Sequence, residues 1–231
     1  MRGKRRGATA VMLAVCATVL AGCFVVVPVP VSTTRAVVPI DNCRRALVKP
    51  KKIDRAALAV DFYKPTANDS LSETERQLYE AIMAHRASIG LPRIPLSKSL
   101  TLVAGRHAED MQKNLMPSGG LKPGTNYHSW SDVDYYEDHR NAKLMWQAPR
   151  RFGTSYCGNG YEISAWGYST WRQTLDLWIA SDYHGPVIEN RGAFKNLKWR
   201  AIGIGVAESN SYGRPVYHVW FGEAKDPAGT P

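Results

Sequence analysis

The strongest alternating segment of the chain comes late, and it fixes the fold class. Residues 201–208, Ala-Ile-Gly-Ile-Gly-Val-Ala-Glu, are apolar with period two, and residues 216–221, Val-Tyr-His-Val-Trp-Phe, repeat this less cleanly. Residues 209–215 between them are rich in turn formers, so the two runs are expected to pair as a hairpin. Residues 161–166 read as a further strand. Helical signals occupy the earlier part. Ser72 with Glu75 forms a capping box behind Leu71, and Leu78, Tyr79, Ile82 and Met83 recur at helical spacing until Gly90 and Pro92. A second helix is expected from Ser97, with Leu100, Val103, Ala104, Ala108, Met111 and Leu115 on one face. A third spans 170–180, where Thr170 and Gln173 repeat the capping pattern. Helices first and antiparallel strands later describe an α+β layered domain.

The N-terminus reads as an address. Arg2, Lys4, Arg5 and Arg6 precede an apolar run over residues 8–20, too short to span a membrane as a helix. It ends Leu20-Ala21-Gly22-Cys23, which resembles the lipobox of bacterial lipoproteins, in which the Cys becomes the first mature residue and carries the lipid. The expected organisation is a signal peptide over 1–22, a lipidated Cys23 with a Val/Pro-rich spacer and strap over 23–70, a folded domain over 71–226 and a tail over 227–231. Acyl chains on Cys23 would hold the chain to the cell envelope on its extracytoplasmic side, at roughly 0.8 kcal/mol per buried methylene. Phe24 after the cysteine suits the outer membrane if the cell is Gram-negative. Residues 40–70 read either as linker or as a strap laid on the domain through Leu58, Val60 and Phe62.

In an oxidising compartment Cys16 leaves with the leader and Cys23 takes lipid, so Cys43 and Cys157 remain as a candidate disulfide, with two free thiols as the alternative. Of the +10 formal charge, the four leader positives are removed on processing, leaving 26 basic against 20 acidic residues, or +6. Lys49, Lys51, Lys52 and Arg55 suit an anionic membrane surface. No basic-aromatic motif accompanies them, and nucleic acid is not an expected partner.

Three segments in order carry a resemblance to a known family: Tyr127-His128-Ser129-Trp130, then Asn159-Gly160-Tyr161-Glu162-Ile163, then the segment from Trp178 through Ser181 to His184 with Ile188 and Asn190, followed by residues 201–206. Arg86, Gly90, Leu91 and residues 104–111 fit as well. The chain resembles the CAP family (cysteine-rich secretory proteins, antigen 5 and pathogenesis-related-1 proteins). That resemblance implies a three-layer α-β-α sandwich with a mainly antiparallel central sheet. It also implies a cavity lined by two histidines and two acidic residues, where some members bind zinc.

Carried over residue by residue, the cavity residues are His128, Glu162 and His184. His128 and His184 would be the metal ligands, and Glu162 the candidate catalytic carboxylate, able to orient a metal-bound water or act as general base. The chain departs from the family twice: Ser181 stands where a second acidic residue is common, and Glu162 lies between Tyr161 and Ile163. His107 and His218 read as structural, and His85 and His139 as exposed. Zinc is thus the one cofactor to be considered.

No Gly-x-Ser-x-Gly elbow, phosphate loop or His-Glu-x-x-His is present. The expected function is a tethered binding module for a lipid, glycan or protein of the envelope. The alternatives are a zinc-dependent hydrolase of an envelope component or secreted peptide, and a purely structural protein.

Overall fold

The computed structural model describes residues 43–208 and 214–231. The signal peptide, Cys23 and the spacer lie outside the described residues. The elements in chain order are α1 (Glu73–Ser88), α2 (Lys98–Asp110), α3 (Lys143–Trp146), α4 (Ala148–Arg151), β1 (Gly160–Trp166), α5 (Trp171–Ala180), α6 (Gly185–Ile188), β2 (Ala201–Ala207) and β3 (Val216–Gly222).

Local chemistry sets the helix starts. The Ser72 side chain accepts from the Glu75 N–H while Glu75 accepts from the Ser72 N–H, closing the capping box that opens α1. Ser97 caps α2 through the Leu100 N–H, and Thr170 caps α5 through the Gln173 N–H. The second helix was expected to run to Leu115. It widens instead into a π-helical turn over Met111–Leu115, because Asn114 is pulled into two long-range bonds, its amide donating to the Val60 carbonyl and its oxygen accepting from the Val60 N–H.

The strands form one antiparallel sheet in the order β1-β3-β2, with Glu162 opposite Trp220 and Ile204 opposite Val219. Alternation sends Ile163, Ala165, Ile202, Ile204, Val206, Tyr217, Val219 and Phe221 to one face, where Leu78, Ile82, Leu175 and Trp178 of α1 and α5 cover them. The other face receives α2. There Gly203 and Gly205 leave no side chain, and a Cβ at either would collide with α2 backbone at Leu100 or Ala104. The Ile-Gly-Ile-Gly run therefore presents large side chains to α1 and bare backbone to α2. Helices on both faces of an antiparallel sheet make the α-β-α sandwich, an α+β fold.

Residues 43–70 pack on the domain. Phe62 is fully buried against Trp130 and Phe152, with Leu58 and Tyr63 beside it. Arg106 of α2 grips Asp69 through Nη2 at 2.6 Å, and the Lys51 N–H donates to the Asp132 carbonyl at 2.9 Å. Cys43 and Cys157 are bonded, with their Cα atoms 5.0 Å apart, which ties the start of the strap to the segment before β1.

Candidate functional site

The α2-facing side of the sheet carries a polar cluster inside the core. Strand alternation points Glu162 of β1 and His218 of β3 toward α2, and His107 comes down from α2 to meet them. His107 continues the apolar stripe of Leu100, Val103 and Ala104 at helical spacing, which is why it is buried. The side chains of Glu162, His107 and His218 are all 0% exposed.

Glu162 uses both oxygens. Oε1 lies 2.6 Å from His107 Nδ1, and Oε2 lies 2.8 Å from His128 Nδ1. Burial alone would raise this carboxyl, but the surrounding imidazoles of His107, His218 and His128, with the hydrogen bonds to His107 and His128, outweigh it and hold Glu162 well below the usual range. His107 Nε2 is 2.9 Å from the Ser129 carbonyl oxygen, so both ring nitrogens face acceptors. With Glu162 ionised, only a ring bearing a proton on each nitrogen satisfies both contacts. One face of this ring stacks on Trp130 at 3.9 Å and 5°, an arrangement that favours a cationic ring. The other face stacks on His218 at 3.9 Å and 21°.

His218 differs. Its Nδ1 is 2.8 Å from Glu162 Oε1 without the alignment of a hydrogen bond, and neither nitrogen has a hydrogen-bond partner among the described residues. Burial, reinforced by His107, pushes its pKa down to about 4, so the ring is neutral.

The ligand atoms of His107, Glu162 and His218 lie within 4.8 Å of one another, a spacing that invites a metal. The stacking argues against it. Lone pairs of imidazoles lie in the ring plane, and two nearly parallel rings cannot both aim at an ion about 2.0–2.1 Å from each nitrogen. This trio fits a buried charge pair with a neutral neighbour better than a metal centre.

Of the residues expected from sequence, Glu162 and His128 meet directly. His184 does not touch Glu162. It stands at the start of α6 with Nδ1 2.9 Å from Ser181 Oγ, and burial and the nearby His128 lower its pKa to about 4. The end of α5 reaches His128 through Ser164, whose carbonyl accepts from Trp178 Nε1 at 3.3 Å and whose Oγ lies 3.4 Å from His128 Nδ1. Asp182 is exposed.

His107 and His218, read as structural, flank Glu162 inside the core. The signal for His107 was a lone histidine in an apolar stripe; His218 gave none, since the register that sets it near Glu162 is tertiary information. His85 and His139, read as exposed, are half-buried: His85 Nε2 sits 2.9 Å from Glu189, and His139 Nδ1 lies 3.1 Å from Tyr135 Oη.

The sequence model of the cysteine-rich secretory protein family, CAP, matches residues 79–222. The chain belongs to the CAP family. Curated proteins supply no match. Solved structures similar to this CAP chain include an outer surface protein from Borrelia burgdorferi, 17% identical over 68% of this chain and 96% of that one, with a TM-score of 0.46. An extracellular protein containing a SCP domain from Bacillus anthracis is 16% identical over 65% of this chain and 40% of its own, with a TM-score of 0.44. A cysteine-rich secretory protein from Staphylococcus aureus is 18% identical over 65% and 38%, with a TM-score of 0.38. Among the described residues of this CAP protein, no helix is long and apolar enough to cross a membrane.

Proposed function

We propose that the protein is an extracytoplasmic CAP-domain binding module held to the cell envelope by lipid on Cys23, with His128 and His184 contacting a lipid, glycan or protein ligand. One observation carries the choice over a hydrolase. Glu162, the residue that would serve as general base, is fully buried with both oxygens engaged by histidines. A base must reach the proton it removes, directly or through one water. Glu162 instead orients His128, while His128 keeps 13% of its side chain exposed. The leader and the lipobox-like Leu20-Ala21-Gly22-Cys23 support the tether, and the Val/Pro-rich spacer would lift the domain from the membrane.

The full chain purified from its host membrane is expected to leave casein and peptidoglycan intact with or without added Zn²⁺, and to release a bound molecule to mass spectrometry. Zinc-dependent cleavage abolished by His128→Ala would overturn this in favour of the hydrolase. Membrane retention with acyl incorporation, lost in Cys23→Ser, tests the tether; a Cys23→Ser chain still acylated and membrane-bound would overturn it.

A further inference from the structure

Ser181 decides what His184 offers. Its Oγ accepts from two backbone N–H groups, those of Tyr183 at 3.2 Å and His184 at 3.3 Å. A hydroxyl has two lone pairs and one proton. With both lone pairs engaged, the proton of Ser181 is left to point at His184 Nδ1, 2.9 Å away. That nitrogen accepts, so a neutral His184 carries its own proton on Nε2.

His128 has the opposite arrangement. Its Nδ1 faces Glu162 Oε2, a carboxylate oxygen that can only accept, so Nδ1 bears the proton and a neutral ring keeps its lone pair on Nε2. Neither Nε2 has a hydrogen-bond partner among the described residues. His128 lies close enough to His184 to act on it electrostatically, and a chain of hydrogen bonds runs from His128 through Ser164, Trp178 and Ser181 to His184.

We propose that Ser181 makes His184 a donor at Nε2 while Glu162 leaves His128 an acceptor at Nε2, so that the pair selects a hydroxyl-bearing ligand over a divalent cation. A zinc ion needs a lone pair from each ring, and here His184 presents a proton. A hydroxyl group does what the pair requires, donating to His128 and accepting from His184. This rests on the binding-module reading and gives it a ligand chemistry. It also explains the consequence of serine at position 181: a carboxylate there would accept the His184 Nδ1 proton and free Nε2 for metal, the arrangement in which a carboxylate behind a histidine raises its basicity as a ligand.

Long-range ¹H–¹⁵N spectra of the full chain at pH 7.5 read the tautomers directly. His184 is expected protonated at Nε2 and His128 at Nδ1; a His184 protonated at Nδ1 overturns the proposal, and this reading needs no variant to fold. Calorimetry with Zn²⁺ alone follows. Ser181→Glu is expected to bind zinc at least about tenfold more tightly than wild type. Equal affinities, or micromolar wild-type binding lost in both His128→Ala and His184→Ala, overturn it. Maltose and glycerophosphoglycerol are the hydroxyl probes. Shifts of the two Nε2 signals with maltose indicate a glycan and with glycerophosphoglycerol a lipid headgroup, while no shift with either at millimolar concentration overturns the ligand assignment. Cleavage of casein or peptidoglycan would end the binding-module reading while leaving the tautomers as observed, so the two failures are distinguishable.

Discussion

The two faces of the central sheet are built from the same three strands and are chemically opposite. Toward α1 and α5 the strands present Ile163, Ile202, Ile204, Val219 and Phe221, an apolar layer in which the titratable groups of the strands are the phenols of Tyr161 and Tyr217. Toward α2 they present Glu162, Ser164 and His218, equally hidden from solvent. Burial is thus the same on both sides while the cost of it is not. Apolar side chains gain roughly 25 cal/mol per Å² removed from water. A buried carboxylate gains only through its partners and loses heavily when one is taken away. One face holds the fold together, and the other keeps a charge cluster in place for His128.

The contrast is tested hardest by emptying each face. Glu162→Ala leaves His107 and His128 without their acceptor and is expected to cost about 3–5 kcal/mol in urea unfolding, with the His128 tautomer lost. Ile204→Ala on the opposite face is expected to cost about 2–5 kcal/mol through the cavity it creates, with the His128 and His184 tautomers unchanged. If Glu162→Ala costs less than about 1 kcal/mol, the cluster is not held as a charge pair and the distinction between the faces collapses.

Acid should separate the faces next. His218 and His184 are held neutral, each with a pKa near 4, while their unfolded counterparts take up a proton below about pH 6.5. The unfolded state then binds more protons, so stability falls as pH drops from about 6.5 toward 4. Each ring contributes at most about 1.4 kcal/mol per pH unit. Glu162, lowered in the folded state, acts in the same sense below its ordinary pKa. His184→Gln is therefore expected to remove about one ring's worth of that slope between pH 6.5 and 5, while Ile204→Val leaves the slope as in wild type. A His184→Gln slope equal to wild type would show that His184 titrates normally.

Much of this fold is local chemistry and was legible as such. Ser72 with Glu75 and Thr170 with Gln173 name their own helix starts, and Ile-Gly-Ile-Gly announces a strand with one bulky and one bare side. The turn over Met111–Leu115 was not legible, since it goes with the Asn114 side chain bonding Val60, a partner 54 residues away. The candidate site divides the same way. His128 and Glu162 stand out by their motifs, and the structure puts them 2.8 Å apart. His107 and His218 join them only through the tilt of α2 and the β1–β3 register, neither of which has a sequence signature. The disulfide partners, 114 residues apart, were named by elimination within an oxidising compartment and not by spacing.

The smallest expected effect asks why His218 is there at all. Its two nitrogens are buried without a hydrogen bond among the described residues, a state that ordinarily costs about 1–3 kcal/mol for a polar group. An apolar side chain of similar size would fill the space against the His107 ring without that cost. His218→Leu is therefore expected to lie within about 1 kcal/mol of wild type in urea unfolding at pH 7.5, and to flatten the acid slope by one ring. A loss of about 3 kcal/mol or more would mean that His218 bonds Glu162 in solution and belongs to the charge pair. If the substitution is neutral, stability does not explain this histidine. Its place is then to be sought in the cluster itself, as the neutral ring that flanks His107 opposite Trp130.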